Sequence, residues 1–201
     1  MKLLVLSFYF QPDLCAGSFR ASALVEQLNR TDLEIEVVTT APNRYSSFEQ
    51  KAESYEVIDG IHIHRITLPT HNSGMYDQIL AFFSYYRHAM KITKNSEYEA
   101  VFATSSRLFT AFLGARIARK KGISLYLDIR DIFVDTMSDI LPSFISVFAT
   151  PVLNLIENYA FGKAKHINLV SKGFLKYFKE KKLGCSFSFY TNGIDKEFDG
   201  V

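Results

Sequence analysis

The stretch Lys2-Leu3-Leu4-Val5-Leu6-Ser7-Phe8-Tyr9-Phe10-Gln11-Pro12-Asp13-Leu14-Cys15-Ala16-Gly17-Ser18-Phe19-Arg20 decides the fold. Leu3 to Phe8 is an apolar run of strand length, and Gln11-Pro12-Asp13 ends it. Helical spacing follows from Arg20 to Leu28, marked by Ala23, Leu24 and Leu28, and Ile35 to Thr39 is a second strand run. The chain therefore opens as strand, helix, strand. The first apolar run is short and meets Pro12 without a small-residue cleavage site, so it reads as a buried strand and not as a secretory leader.

The same alternation continues along the chain. Tyr55 to Ile58 and Ile61 to Thr67 flank Asp59-Gly60, a pair that favours positive φ and hence a tight hairpin. A long helix is expected over about Met75 to Lys94, a strand over Ala100 to Thr104, and a helix over Leu108 to Lys121 closed by Gly122. Leu125 to Ile129 is the next strand. A helix around Val152 to Lys163, a strand His166 to Val170, a helix Phe174 to Lys181 and a strand Phe187 to Tyr190 complete the set. Near-continuous apolar strands separated by helices imply a Rossmann-like, doubly wound α/β fold, its sheet mainly parallel and covered by helices on both faces.

With 201 residues there is chain for one such domain with a sizeable core. We expect it to occupy residues 1–190, with 191–201 starting a linker at the turn signal Tyr190-Thr191-Asn192-Gly193-Ile194-Asp195. Hydrophobic residues at 48% and charged residues at 22% exclude a disordered chain, and a net charge of +2 argues against a nucleic-acid partner. Cys15 and Cys185 lie far apart without a metal-like neighbour pattern and read as reduced thiols of a cytoplasmic protein.

In parallel sheets ligands bind at the carboxyl ends of the strands, which points to Tyr9 to Arg20, Thr104 to Arg107, Asp128 to Asp131 and Ser171. No Gly-x-Gly-x-x-Gly fingerprint follows the first strand, which weakens a dehydrogenase reading. Gly17 and Ser18 stand at a helix start, where free N–H groups favour an anion. Arg20 is either a charged clamp for that anion or the partner of a carboxylate. Arg130 and Asp131 either face a cleft or form a local ion pair. Ser105, Ser106 and Ser171 either bond a sugar or phosphate or cap the helices that follow them. His62 and His64 share a strand face but no third ligand recurs nearby, so no metal is expected.

Taken in order, these motifs resemble the N-terminal half of GT-B glycosyltransferases of family GT4, in the branch that builds bacterial capsule and lipopolysaccharide sugars. The resemblance rests on Phe10-Gln11-Pro12 leading to Gly17 and Arg20, on Val37 to Thr40, and on Asp59-Gly60-Ile61 with Arg65-Ile66. Thr104-Ser105-Ser106, Thr110, Ala118-Arg119-Lys120, Arg130-Asp131, Glu157, Ala164, Val170-Ser171 and Asn192-Gly193-Ile194-Asp195 continue it.

The resemblance implies retaining transfer of a sugar from a nucleotide-diphosphate donor to a glycan or lipid-linked acceptor, with no metal and no cofactor beyond the donor. It gives Gly17 the donor diphosphate, beside which Arg20 is the candidate clamp, and gives Arg130 and Asp131 a place at the reacting centre. It also implies a second, donor-binding half as partner, without which this chain is inactive. The family commonly has two glycines where this chain has Ala16-Gly17, and an apolar residue, tryptophan and proline where it has Ile132-Phe133-Val134.

Two other functions stay open on the residues alone: a glycan- or lipid-acceptor binding module serving a separate chain, and a sugar-nucleotide epimerase. The uncharged stretch Ile140 to Ile156 is too short and too interrupted by Pro142 and Pro151 to cross a bilayer. It is either buried or an apolar rim at the inner membrane, and Lys163, Lys165, Lys172, Lys176, Lys179, Lys181 and Lys182 are either a solvated face or a contact for anionic lipid. The aromatic run Phe82-Phe83-Ser84-Tyr85-Tyr86 has the same two readings, packed layer or exposed surface.

Overall fold

The computed structural model describes residues 1–42, 52–69, 75–105, 108–134, 143–181 and 183–191. Of the features expected above, Ser106, Arg107, residues 140–142 of the uncharged stretch, Lys182 and the linker from Asn192 onward lie outside the described residues. Eight strands form one sheet: β1 (Lys2–Leu6), β2 (Glu34–Thr40), β3 (Tyr55–Ile58), β4 (Ile61–Ile66), β5 (Ala100–Ser105), β6 (Ser124–Ile129), β7 (Ala164–Leu169) and β8 (Ser186–Phe189). Their order is β3-β4-β2-β1-β5-β6-β7-β8, all parallel except β3, which returns on β4 through Asp59 and Gly60 at φ of 51° and 81°. The expected mainly parallel, doubly wound fold is the one observed.

Period-two alternation decides what each face of β1 meets. Leu4 and Leu6 join a core with helices α2 (Met75–Ile92), α3 (Leu108–Lys121), α4 (Ser143–Phe161) and α5 (Leu175–Glu180). Leu3 and Val5 point the other way and pack with Val25 and Ala21 of helix α1 (Ala16–Leu28). Leu113 and Ile117 of α3 are fully enclosed, each contributing about 1.5–3 kcal/mol by burial. Gly114 lets α3 lie directly on the sheet, since a Cβ there would stand 2.9 Å from Cβ of Ala103 and 3.1 Å from Cδ1 of Leu125. Gly114→Ala should therefore destabilise the fold by about 1–3 kcal/mol through overpacking; an unchanged urea midpoint would contradict this contact.

Two segments differ from the sequence expectation. The helix expected from about Val152 begins at Ser143 and carries Pro151 in its interior. Pro151 and Val147 are both exposed on its outer side, so the carbonyl that proline leaves without its helical donor faces water. The helix expected from Arg20 begins at Ala16, which brings Gly17 and Ser18 into its first turn. In α2 both readings of the aromatic run hold at different positions. Tyr85 is fully buried and bonds the Val38 carbonyl at 2.8 Å, whereas Phe83 is exposed.

At the amino edge of the sheet, buried Glu36 accepts a hydrogen bond from Tyr98 Oη at 2.8 Å. Its oxygens also lie 3.1 Å from Lys2 Nζ and 3.3 Å from His64 Nε2. Burial pushes the His64 imidazole below its ordinary pKa, against the pull of Glu36. His62 Nδ1 is 2.7 Å from Tyr55 Oη. Each of these histidines thus has its own partner, and among the described residues no three His, Cys, Asp or Glu side chains are grouped to hold a metal ion.

Candidate functional site

Strand order reverses between β1 and β5: the chain winds from β1 outward through β2 and β4, then crosses back to β5 and winds the other way. At such a switch point the loops leaving the carboxyl ends diverge and open a crevice. The loop after β1 is held firmly on its floor. Phe8 and Phe10 are buried, the Phe8 carbonyl accepts from Thr40 Oγ1 at 2.6 Å, and Ser7 Oγ bonds the Tyr9 carbonyl at 2.5 Å. Ser7 Oγ also meets Thr104 Oγ1 at 3.2 Å across the reversal. Arg65, buried and paired with Glu56, donates to the Gln11 carbonyl at 2.9 Å.

This anchored loop delivers the start of α1 to the crevice. Its N-cap, Cys15, is extended and offers no side-chain hydrogen bond, and the first turn has no acidic residue. Cys15 therefore gives the amides there no side-chain acceptor, and the helix dipole adds partial positive charge. Beside them stands Arg130, from the loop after β6: a Cβ on Gly17 would lie 3.1 Å from Arg130 Nη1, 3.5 Å from Tyr9 Cδ2 and 3.7 Å from Cys15 Sγ. Glycine is thus what allows the guanidinium to rest against the helix start. Arg130 Nε is buried with no hydrogen-bond partner, and no carboxylate pairs with Arg130 among the described residues. A cation beside the positive end of a helix is electrostatically unfavourable, and an anion seated between them would stabilise both.

Other candidates occupy the same edge of the sheet in different states. Arg20 chelates Asp128, with Nε to Oδ2 at 2.7 Å and Nη2 to Oδ1 at 2.8 Å. It also donates to the carbonyls of Thr191 and Tyr190 at 2.7 and 2.8 Å. Of the two readings of Arg20, the carboxylate partner is present. Asp131 is exposed and makes no ion pair with Arg130. Ser105 is buried at the end of β5. Ser171 Oγ accepts from the Gly173 amide at 3.1 Å and so caps the short 3-10 turn Lys172–Phe174. The geometry brings Gly17, Arg130 and, through Asp128, Arg20 into one neighbourhood.

Sequence reasoning missed the far side of that neighbourhood. Asn168 Nδ2 donates to Asp128 Oδ1 at 2.6 Å, and Asn168 Oδ1 accepts from the Tyr190 amide and from Ser188 Oγ, both at 2.9 Å. The available signal was an asparagine inside the apolar run Ile167-Asn168-Leu169, since a buried polar residue in a strand needs partners.

Solved structures share this architecture. The sucrose-phosphate synthase of Thermosynechococcus elongatus matches with a TM-score of 0.66 at 8% identity, over 97% of this chain and 91% of that chain. UGT89C1 of Arabidopsis thaliana complexed with UDP matches with a TM-score of 0.57 at 13% identity, over 94% of this chain and 52% of that one. HepE of Anabaena in complex with UDP-glucose matches with a TM-score of 0.52 at 17% identity, over 97% and 44%. The chain thus spans about half the length of the last two. No protein-family model and no curated protein matches the sequence. Likeness at these identities establishes the fold: the chain is a Rossmann-like α/β domain of the kind present in these glycosyltransferase structures.

Proposed function

We propose that this chain is the acceptor-side half of a retaining GT-B glycosyltransferase of family GT4. It moves a sugar from a nucleotide-diphosphate donor to a glycan or lipid-linked acceptor in cell-envelope polysaccharide assembly, on the cytoplasmic face of the inner membrane. The observation that carries this reading is the pairing of Arg130 with the uncapped start of α1 over Gly17. That arrangement has the charge and the free donors to receive a diphosphate. In transfer, the guanidinium and the α1 amides offset the negative charge that gathers on the departing diphosphate as the glycosidic bond loosens. Asp131, exposed at the same mouth, orients an acceptor hydroxyl. Arg20 acts one step removed, fixing α1 on Asp128 so that Gly17 is correctly placed. Ser105 and Ser171 border the acceptor. The donor-binding half is supplied by a second domain, in keeping with the share of UGT89C1 and HepE that this chain spans.

Calorimetric titration with UDP tests the anion seat directly. The chain should bind weakly, and Arg130→Gln should weaken binding about tenfold, the loss expected of one charged hydrogen-bonding partner. Equal binding by the variant would remove the main support for this reading. Alone, the chain should not turn over UDP-sugars, because catalysis needs both walls of the cleft to position donor and acceptor.

A further inference from the structure

The turn Lys172–Phe174 and helix α5 leave the carboxyl end of β7 and lead to the start of β8, so they run from the carboxyl edge of the sheet toward its amino edge. Phe178 faces the core, its ring centre 5.0 Å from that of Phe161 and 6.3 Å from that of Phe187. That leaves Lys172, Lys176 and Lys179 on the opposite side, about one helical turn apart, and all three are exposed. With half-buried Leu175 and with Glu180 they line an open groove of about 500 Å³.

Three ammonium groups meet a single carboxylate in this groove, that of Glu180. Glu157 is buried and already engaged, accepting from Tyr177 Oη at 2.6 Å and lying 2.8 Å from Lys181 Nζ. Among the described residues no carboxylate forms an ion pair with Lys172, Lys176 or Lys179. Like charges one turn apart repel, and an anionic ligand laid along the row would relieve that repulsion. The row also stands in a fixed relation to the mouth of the crevice. The Val170 amide donates to the Ile129 carbonyl at 3.3 Å, so the segments leading to Lys172 and to Arg130 leave the sheet side by side.

We propose that this groove binds an acidic glycan, a chain of sugars bearing carboxylates, and holds it beside the mouth at which it is extended. Successive carboxylates meet Lys172, Lys176 and Lys179, while Leu175 offers apolar contact to the C–H face of a sugar ring. Lys172, nearest the carboxyl edge, receives the end of the glycan that enters the crevice, and Lys179 receives a more distant unit. A concave row suits a linear chain, whereas a flat bilayer is met by protruding apolar side chains. That the ligand is a glycan rests on the proposed sugar transfer; that it is anionic rests on the groove alone.

Fluorescence anisotropy with a labelled oligogalacturonate tests the groove without any sugar donor. The chain should bind this probe at low salt, release it as salt rises, and ignore a neutral maltooligosaccharide of the same length. Lys172→Gln with Lys176→Gln and Lys179→Gln should weaken binding at least about tenfold. Lys172→Arg with Lys176→Arg and Lys179→Arg should leave it within about twofold, and Glu180→Gln should tighten it about twofold. Removing equal charge near the ends of α2 and α3, by Lys91→Gln, Lys94→Gln and Lys120→Gln at exposed positions, should change it by no more than about twofold. Absence of binding, equal loss in the two glutamine triples, or equal affinity for the neutral sugar would overturn the proposal. So would equal binding of an oligoglutamate, which would make the ligand an acidic peptide, or binding of phosphatidylglycerol vesicles through the same lysines in place of the oligogalacturonate. UDP titration reads the seat and this probe reads the groove, so loss of one response alone shows which of the two readings has failed. Unchanged melting temperatures of the variants exclude misfolding as the cause of any loss.

Discussion

Asp128→Ala should lower the stability of this domain by about 3–5 kcal/mol, the range seen when one partner of a buried ion pair is removed. The carboxylate is almost wholly enclosed, it receives two guanidinium hydrogen bonds from Arg20, and it accepts a third from Asn168. Without it, a largely buried guanidinium loses the carboxylate that receives two of its hydrogen bonds. For a domain of this size each kcal/mol moves the melting temperature by about 2–4 °C, so a drop of roughly 6–20 °C is expected. The double replacement Arg20→Leu with Asp128→Leu should cost less than Asp128→Ala alone, because no uncompensated charge remains. If the single and double variants are equally destabilised, the pair is not energetically coupled in the way its geometry implies.

Gly17→Val should cost the proposed two-domain glycosyltransferase about a hundredfold in kcat/KM, comparable to removing one donor from a preorganised anion site. A Cβ at this position already meets Arg130 Nη1 at 3.1 Å, and the branched methyls of valine extend into the space where the guanidinium and the α1 amides converge. The fold itself has less to lose. Gly17 lies in the first turn of α1, and replacing a helical glycine by alanine is worth up to about 1 kcal/mol in helix propensity. Gly17→Ala should therefore hold or raise the melting temperature while weakening UDP binding. A Gly17→Val enzyme with undiminished activity would show that nothing negatively charged approaches this point.

What could be read in the sequence follows from the range of the forces involved. β1, β4 and α3 were legible because burial imposes a local period: Leu3 to Leu6 feed two cores alternately, Ile61, Ile63 and Arg65 turn to the same side, and α3 keeps its expected ends, Leu108 and Lys121. The hairpin was legible because Asp59-Gly60 tolerates positive φ. The start of α4 was not, since Pro151 argues locally for a break, whereas the helix runs through it from Ser143. At the site, Gly17 and Arg130 were each nameable, but their juxtaposition joins loops more than a hundred residues apart. The partner of Arg20 was equally hidden, because the choice between an anion clamp and a carboxylate depends on where β6 places Asp128.

Helix α1 carries Gly17 in its first turn and Arg20 only three residues later, and Arg20 grips the carbonyls of Tyr190 and Thr191 where the chain leaves β8. A short stiff rod thus connects the proposed phosphate seat to Thr191, where the chain leaves the sheet. Tension applied at Thr191 reaches Gly17 within a single helical turn, and by reciprocity an occupant of the seat resists displacement of Thr191. Any swing of the segment beyond Thr191 would accordingly be felt, as a change in affinity, by whatever the seat holds.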